Sequence, residues 1–401
     1  MKINTKSYIL TFSFILIFFA FLVIYLQTTP LDKLKLASQR DSDSVLPASL
    51  RDEELKRKIG QMIIIGFRGI GVNKDSEIVK AIQDLNVGGI VLYDYDVPSH
   101  SFPRNIIDPQ QTKKLISNLQ KYAPTPLFIA IDAEGGKINR LKSEYGFLSI
   151  LSPKELGRID KEEITRQEAE KLAKELVELG FNINFAPVVD LEINPKNPII
   201  AKLERSFSND PQKVIRHARI FTETFKDYNI IPVIKHFPGH GSSAEDSHLG
   251  MVDVTQTWRQ EELLPYRVFV REKIIDAVMT AHIFNREIDD KYPATISEKF
   301  LKDLLRKEIS FEGVIISDDL QMNAIAKHFG LEEAIIQAIN AGADILLLSN
   351  NSSSGYDKDL AYKVHQIIFN AIKEGKIPME RILESTSRIQ SLKQKYNIIS
   401  Q

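Results

Sequence analysis

The chain has 401 residues, enough for one large domain or two small ones, and its 43% hydrophobic and 26% charged composition is that of a globular protein. Its 52 Lys and Arg balance 53 Asp and Glu, leaving a net charge of −1, so it carries no electrostatic footprint for a nucleic-acid partner. It contains no cysteine, which excludes disulfides, zinc–thiolate sites and thiol nucleophiles and leaves an extracytoplasmic location open.

Residues 1–7 include Lys2 and Lys6, and residues 8–26, "YILTFSFILIFFAFLVIYL", include no charge. That run has the length of a bilayer span and exceeds the ~7–15 apolar residues of a signal-peptide core. No A-x-A pattern follows it in "YLQTTPLDK". It therefore reads as an uncleaved signal anchor, with a long cleaved signal as the alternative. A buried core helix would not be apolar on every side. Positive charge ahead of the span puts residues 1–7 in the cytoplasm and the remainder outside, an asymmetry that Lys33, Lys35 and Arg40 weaken. The expected location is the cell membrane, single-pass, with the bulk of the chain extracytoplasmic, or secretion if the signal is removed. Residues 27–50 read as a polar linker, and residues 51–401 as a single globular domain.

From there short β-rich apolar runs recur: 61–67, 88–93, 127–132, 182–187, 231–236, 276–282, 313–318 and 343–349. Nearly continuous apolar runs suit strands buried on both faces of a parallel sheet. Helical stretches alternate with them. In 162–180, Ile164, Leu172, Leu176 and Leu179 share a side and Gly180 is a natural stop. In 209–225, Asp210 reads as a cap, Pro211 as the first turn, and Val214, Ala218, Phe221 and Phe225 as a stripe. Eight strands separated by helices predict an α/β fold, a (β/α)8 TIM barrel. An open doubly wound sheet is the alternative.

Polar residues then cluster at the strand ends: Asp132, Lys235, His236, His282, Asp318, Ser349 and Asn350. The carboxyl ends of barrel strands build the active site. The stretch "KHFPGHGSSAEDSH", 235–248, concentrates proton carriers on one irregular loop. His236 and His240 are four apart, as in a helical metal pair, but Pro238 and Gly239 between them break the helix such a pair needs. An acid–base device fits better. An Asp246 carboxylate on one His248 nitrogen would fix the tautomer and raise the basicity of the other, although a plain Asx turn accounts for the same residues. Asp318 at a strand end would supply a nucleophile, and retaining glycoside hydrolysis needs those two roles. Asp319 reads as a helix cap or a hydrogen-bonding residue at the barrel top.

The loop resembles the signature of the bacterial β-N-acetylhexosaminidases of glycoside hydrolase family 3, the NagZ type. "IDAEGGKINRL" (131–141), "NFAPVVDL" (184–191), "ERSFSNDP" (204–211), "MTAHI" (279–283), "PATIS" (293–297) and "GVIISDDLQM" (313–322) support the resemblance in family order, over about residues 55–350. It implies Asp318 as nucleophile, His248 as general acid/base paired with Asp246, and Asp132, Arg140, Arg205, Lys235 and His236 as binders of an N-acetylglucosamine unit. A structural ion pair at the barrel rim is the other reading of Lys235 and Arg205. The resemblance also implies a covalent glycosyl-enzyme and neither metal nor cofactor. Ala133, Lys137 and Leu203 depart from the commoner Gln, Arg and Gly. Gly135 and Gly136 would let the backbone turn tightly after Asp132. The span at 8–26 departs from the family's cytoplasmic single-domain members, and the two readings together give a monomeric, membrane-anchored exo-β-N-acetylglucosaminidase acting on peptidoglycan fragments or chitooligosaccharides. The alternatives are a related β-glycosidase, a phosphorylase with the same dyad, or a non-catalytic wall-binding barrel.

Overall fold

The structure, a computed structural model, describes residues 48–246 and 250–400. The expected span at 8–26 and nearly all of the expected linker lie outside the described residues. Among the described residues no helix is long and apolar enough to cross a membrane. The chain divides after Glu53, and the barrel belongs to the unit that begins at Glu54.

The centre of that unit is a sheet of eight strands: β1 (Ile63–Gly66), β2 (Gly89–Val91), β3 (Phe128–Ile131), β4 (Ile183–Asn184), β5 (Ile231–Phe237), β6 (Ala277–Thr280), β7 (Val314–Ile316) and β8 (Leu346–Leu348). Every strand pairs in parallel with its sequence neighbours, for instance Ile64 with Gly89 and Val233 with Ala277. β1 pairs with β8 through Ile63 and Leu346, and the bridge between Ile316 and Ile345 joins β7 to β8. The ring is closed, so the fold is a (β/α)8 barrel. All residues of all eight strands are buried, as a sheet covered on both faces requires.

The helices follow the sequence pattern. Glu162–Leu179 ends with the Gly180 N–H on the Leu176 and Val177 carbonyls, and buries Leu172, Leu176 and Leu179, whereas Ile164 stays half-buried. Pro211–Asp227 is capped by Asp210, whose carboxylate accepts the Gln212 N–H, and buries Val214, Ala218, Phe221 and Phe225. Leu360–Lys373 and Met379–Lys395 close the chain.

The strands are shorter than the apolar runs. β4 keeps only two residues of the expected six. Side-chain amides take over beyond its ladder. Asn184 Oδ1 accepts the Ala133 N–H at 3.0 Å while its Nδ2 donates to the Ala133 carbonyl at 2.9 Å. Asn182 does the same with Ile129 N and the Leu127 carbonyl. A carboxamide copies the donor and acceptor of a peptide, so the chain can leave the sheet without orphaning its neighbour.

The amino-terminal end of the barrel holds a buried lysine. Lys393 Nζ donates to Gln61 Oε1 (2.8 Å) and to the Pro126 (2.7 Å) and Gly88 (3.2 Å) carbonyls, and lies 4.7 Å from the centre of the Phe128 ring. Burial pushes its ammonium down to about 7. The unfolded chain therefore holds this proton more tightly than the folded one between about 7 and about 10.4. The penalty is full below that window and is relieved as pH rises through it. Denaturation midpoints should accordingly show the wild-type protein gaining up to ~1.4 kcal/mol per pH unit over that window relative to Lys393→Met. Parallel pH profiles for the two proteins would refute the assignment.

Candidate active site

The carboxyl ends of the strands surround a cavity of ≈ 410 Å³ floored by Phe185, Met279 and Leu347, within the size range of small-ligand sites. Asp132, Arg140, Arg205, Lys235, His236 and Asp318 all line it. Six of the eight site residues expected from sequence thus come together from β5 and the loops after β3, β4 and β7.

One wall is a chain of charges. Lys235, only 2% exposed, places Nζ 2.7 Å from Asp132 Oδ1 and 2.7 Å from Glu134 Oε1. Arg205 grips Glu134 bidentately, Nε to Oε2 at 2.8 Å and Nη2 to Oε1 at 2.7 Å, and its Nη1 donates to the Ile199 carbonyl. Arg140 Nη2 stands 3.8 Å from Asp132 Oδ2. Burial alone would push the Asp132 carboxyl up, but Lys235 and Arg140 outweigh it and hold it at about 2. Glu134 is held below its ordinary value in the same way, with Arg205 and Lys235 overcoming burial. The rim ion pair that the sequence left as a second reading of Lys235 and Arg205 is therefore present, and it faces the cavity.

Glu134 reaches this position through a tight turn. Gly135 and Gly136 have φ of 95° and 56°. A Cβ on either would stand 2.3 Å from the Leu151 carbonyl oxygen or the Ser152 Cβ, so side chains are excluded there.

His236 and the preceding Lys235 both reach the cavity, and the peptide bond between them is cis. His236 Nδ1 lies 2.7 Å from Asp190 Oδ2, and Arg205 Nη2 lies 3.2 Å from Nε2. Since a guanidinium only donates, Nε2 accepts and the Nδ1 proton goes to Asp190. Burial, then Arg205 and Lys235, keep the ring well below its ordinary value and hence neutral. Burial raises the Asp190 carboxyl, against His240 and the backbone N–H donors of His236 and His240. The His236 and His240 rings stand 6.1 Å apart, and a guanidinium against Nε2 is the wrong neighbour for a cation. Among the described residues no cluster of three or more His, Cys, Asp or Glu is placed to hold a metal ion.

The two neighbouring aspartates after β7 part company. The strand ends at Ile316, so its alternation does not reach them, and both border the cavity. Asp319 Oδ1 accepts the Gln321 and Ser349 N–H groups at 3.1 Å each, and Oδ2 accepts Ser349 Oγ at 2.5 Å. It ties β7 to β8; the helix Asn323–Ala341 has Met322 at its N-cap position and no side-chain cap, so the barrel-top reading replaces the helix-cap one. The Asp318 N–H donates to Thr280 Oγ1, and its Oδ1 accepts the Asp319 N–H at 2.8 Å. Thr280, Thr295 and His282 form a buried brace beneath, ending with His282 Nε2 donating to the Asp319 carbonyl at 2.8 Å. His282 is thus a support, absent from the cavity wall.

Asp246 is half-buried on the loop after β5 and does not line the cavity; His248 lies outside the described residues. Sequence reasoning passed over Glu134 and Asp190. A signal was available: two cations at the carboxyl end of the barrel, Lys235 and Arg205, call for carboxylates nearby if they are buried, and both acids sit inside the motifs at 131–141 and 184–191.

The Glycosyl hydrolase family 3 N terminal domain matches residues 54–392. The chain belongs to glycoside hydrolase family 3. It is 34% identical to the Beta-hexosaminidase of Tolumonas auensis over 70% of this chain and 81% of that protein. It is 30% identical to Beta-hexosaminidase LpqI of Mycobacterium tuberculosis over 87% and 84%. A solved family 3 beta-N-acetylglucosaminidase from Paenibacillus sp. superposes with a TM-score of 0.78 at 34% identity, covering 86% of this chain; the chain spans 63% of that protein. Within family 3 it stands among the β-N-acetylhexosaminidases and is a glycoside hydrolase.

In this family 3 barrel the acid Glu134 serves two cations. Glu134→Gln keeps the shape and removes the charge. Breaking a buried pair costs roughly 3–5 kcal/mol, a loss that urea denaturation at pH 7 should register. Because the folded Glu134 carboxyl sits below its unfolded value, its contribution is present above about 4.3 and lost as pH falls through its lower folded value. The acid limb of stability should therefore be shallower in the variant; an unchanged limb would count against the network.

Proposed function

We propose that the protein is a retaining exo-β-N-acetylglucosaminidase acting on peptidoglycan fragments or chitooligosaccharides. The observation that carries this reading is the division of labour after β7: Asp319 is engaged on both oxygens by Gln321 and Ser349, while Asp318 borders the same cavity as the charge network. A pocket floored by Phe185, Met279 and Leu347 suits a terminal sugar entering from one side. Asp132, Lys235 and Arg140 offer charge-assisted hydrogen bonds to its hydroxyls. Arg205 and His236 act chiefly by holding that wall.

In the first step an Asp318 oxygen attacks the anomeric carbon as the glycosidic bond breaks, and His248 gives its proton to the leaving oxygen. The product is a glycosyl ester on Asp318. In the second step His248, oriented by Asp246, takes a proton from water, the water oxygen attacks the same carbon, and Asp318 leaves as carboxylate. Two inversions give net retention. In this reading the His248–Asp246 pair takes the role that a second carboxyl group has in most such enzymes.

A 5-fluoro glycosyl donor should trap the ester, and peptide mass mapping should place it on Asp318. Asp318→Asn should lose roughly 10⁴-fold in turnover with its fold intact, and Asp319→Asn should keep more activity. A label on Asp319, or product of inverted configuration, refutes the assignment.

The role of His248 has its own signature. In His248→Ala, the loss of kcat/KM should be largest for leaving groups of high pKa and should shrink for those that depart without a proton. An equal loss across leaving groups of very different pKa would remove His248 from the chemistry.

A further inference from the structure

The loop after β2 carries three aromatic residues outward from the cavity. Tyr93 is buried at its base, Tyr95 is half-buried and lines it, and Phe102 is 50% exposed. The rings of Tyr95 and Phe102 stand 4.8 Å apart between centroids and are tilted by 57°, and Tyr145, on the loop after β3, meets Phe102 edge-on at 5.9 Å and 62°. Lys142 Nζ lies 4.9 Å from the Phe102 ring centre while pairing with Asp94 at 2.9 Å.

This loop is built to hold its shape. Asp96 and Ser101 exchange backbone hydrogen bonds at 2.9 and 3.2 Å. The Asp96 carboxylate accepts Arg68 Nε at 2.8 Å and Arg104 Nη1 at 2.6 Å, and the fully buried Arg104 donates onward to the Asn350 carbonyl. Asn351, itself on the cavity wall, accepts the Val97 N–H at 2.9 Å and donates to the Tyr95 carbonyl at 3.0 Å. An aromatic ring left half in water on a loop tied down at this many points is preorganised for a partner.

We propose that Phe102, flanked by the inclined rings of Tyr95 and Tyr145, forms an aglycone subsite on which the pyranose ring next to the scissile bond stacks. This rests on the reading of the cavity as the site of the terminal sugar. The platform is continuous with that cavity through Tyr95. One face of a β-linked pyranose presents axial C–H groups of weak positive charge, which meet the negative faces of aromatic rings. The platform selects saccharides of at least two rings over the lone monosaccharide. The sugar hydroxyls stay at the edges, within reach of Lys142 and water.

The test is calorimetric titration of full-length Asp318→Asn protein, which binds without turning over, with N-acetylglucosamine and with its β-1,4-linked dimer. The dimer should bind more tightly than the monosaccharide. Adding Phe102→Ala should weaken dimer binding roughly two- to twelvefold, the range of one aromatic contact, with monosaccharide affinity unchanged. Phe102→Trp should restore it. Phe102 is half exposed, and circular dichroism verifies that the fold is retained. A Phe102→Ala change that weakens both ligands equally, or neither, overturns the subsite. Failure of the proposed reaction shows separately, as wild-type protein that does not cleave the dimer even though the dimer binds with the Phe102-dependent advantage.

Discussion

Two cations, Lys235 and Arg205, are buried at the mouth of the barrel, and both pair with Glu134. A buried charge lacking a partner costs several kcal/mol. Lys235 comes from β5, Glu134 from the turn after β3 and Arg205 from the loop after β4. Satisfying the charges therefore fixes three separate stretches of chain relative to one another. Asp132 completes the alternation of sign, and Arg140 closes it from the solvent side at 3.8 Å. The cavity wall is held together by this chain of pairs.

A second device acts on the opposite wall. Adjacent aspartates would ordinarily compete for one role. Here the Ser349 hydroxyl and two backbone N–H groups occupy Asp319, and burial raises its carboxyl from the ordinary value. Asp318 is steadied differently, its Oδ1 accepting the N–H of Asp319 itself. The brace of Thr280, Thr295 and His282 sets the backbone beneath them. Side-chain orientation at a barrel rim is thus decided by which neighbours offer donors, since the strand that would have imposed alternation has already ended at Ile316.

The carboxamides of Asn182 and Asn184 show how the barrel lets its strands stop. Apolar character persists for several residues past the last ladder hydrogen bond, because those residues still face the core. Hydrophobic runs therefore overstate strand length wherever a side chain can replace a peptide partner. The motifs "MTAHI" and "PATIS" have a related explanation. Their polar residues reach toward the active site in sequence and brace it in space.

Much was legible without coordinates. Eight apolar runs with helices between them pointed to a parallel sheet covered on both faces, a closed barrel or an open doubly wound sheet, and the pairing of β1 with β8 decided for the barrel. Asp210, Pro211 and Gly180 marked helix ends, because capping and stopping are local chemistry. Asp132, Lys235, His236 and Asp318 were legible as cavity residues because the barrel puts strand ends in one place. What only the tertiary structure decided was how those groups divide the work. Glu134 and Asp190 became central through partners 71 and 46 positions away. The His236 tautomer was set by Arg205, the fate of Asp319 by Ser349, and the aromatic cluster of Tyr95, Phe102 and Tyr145 by two loops meeting at the rim. Local pattern carries backbone conformation and burial, whereas the energy of a buried charge depends on the few ångströms around it, which are filled by residues remote in the chain.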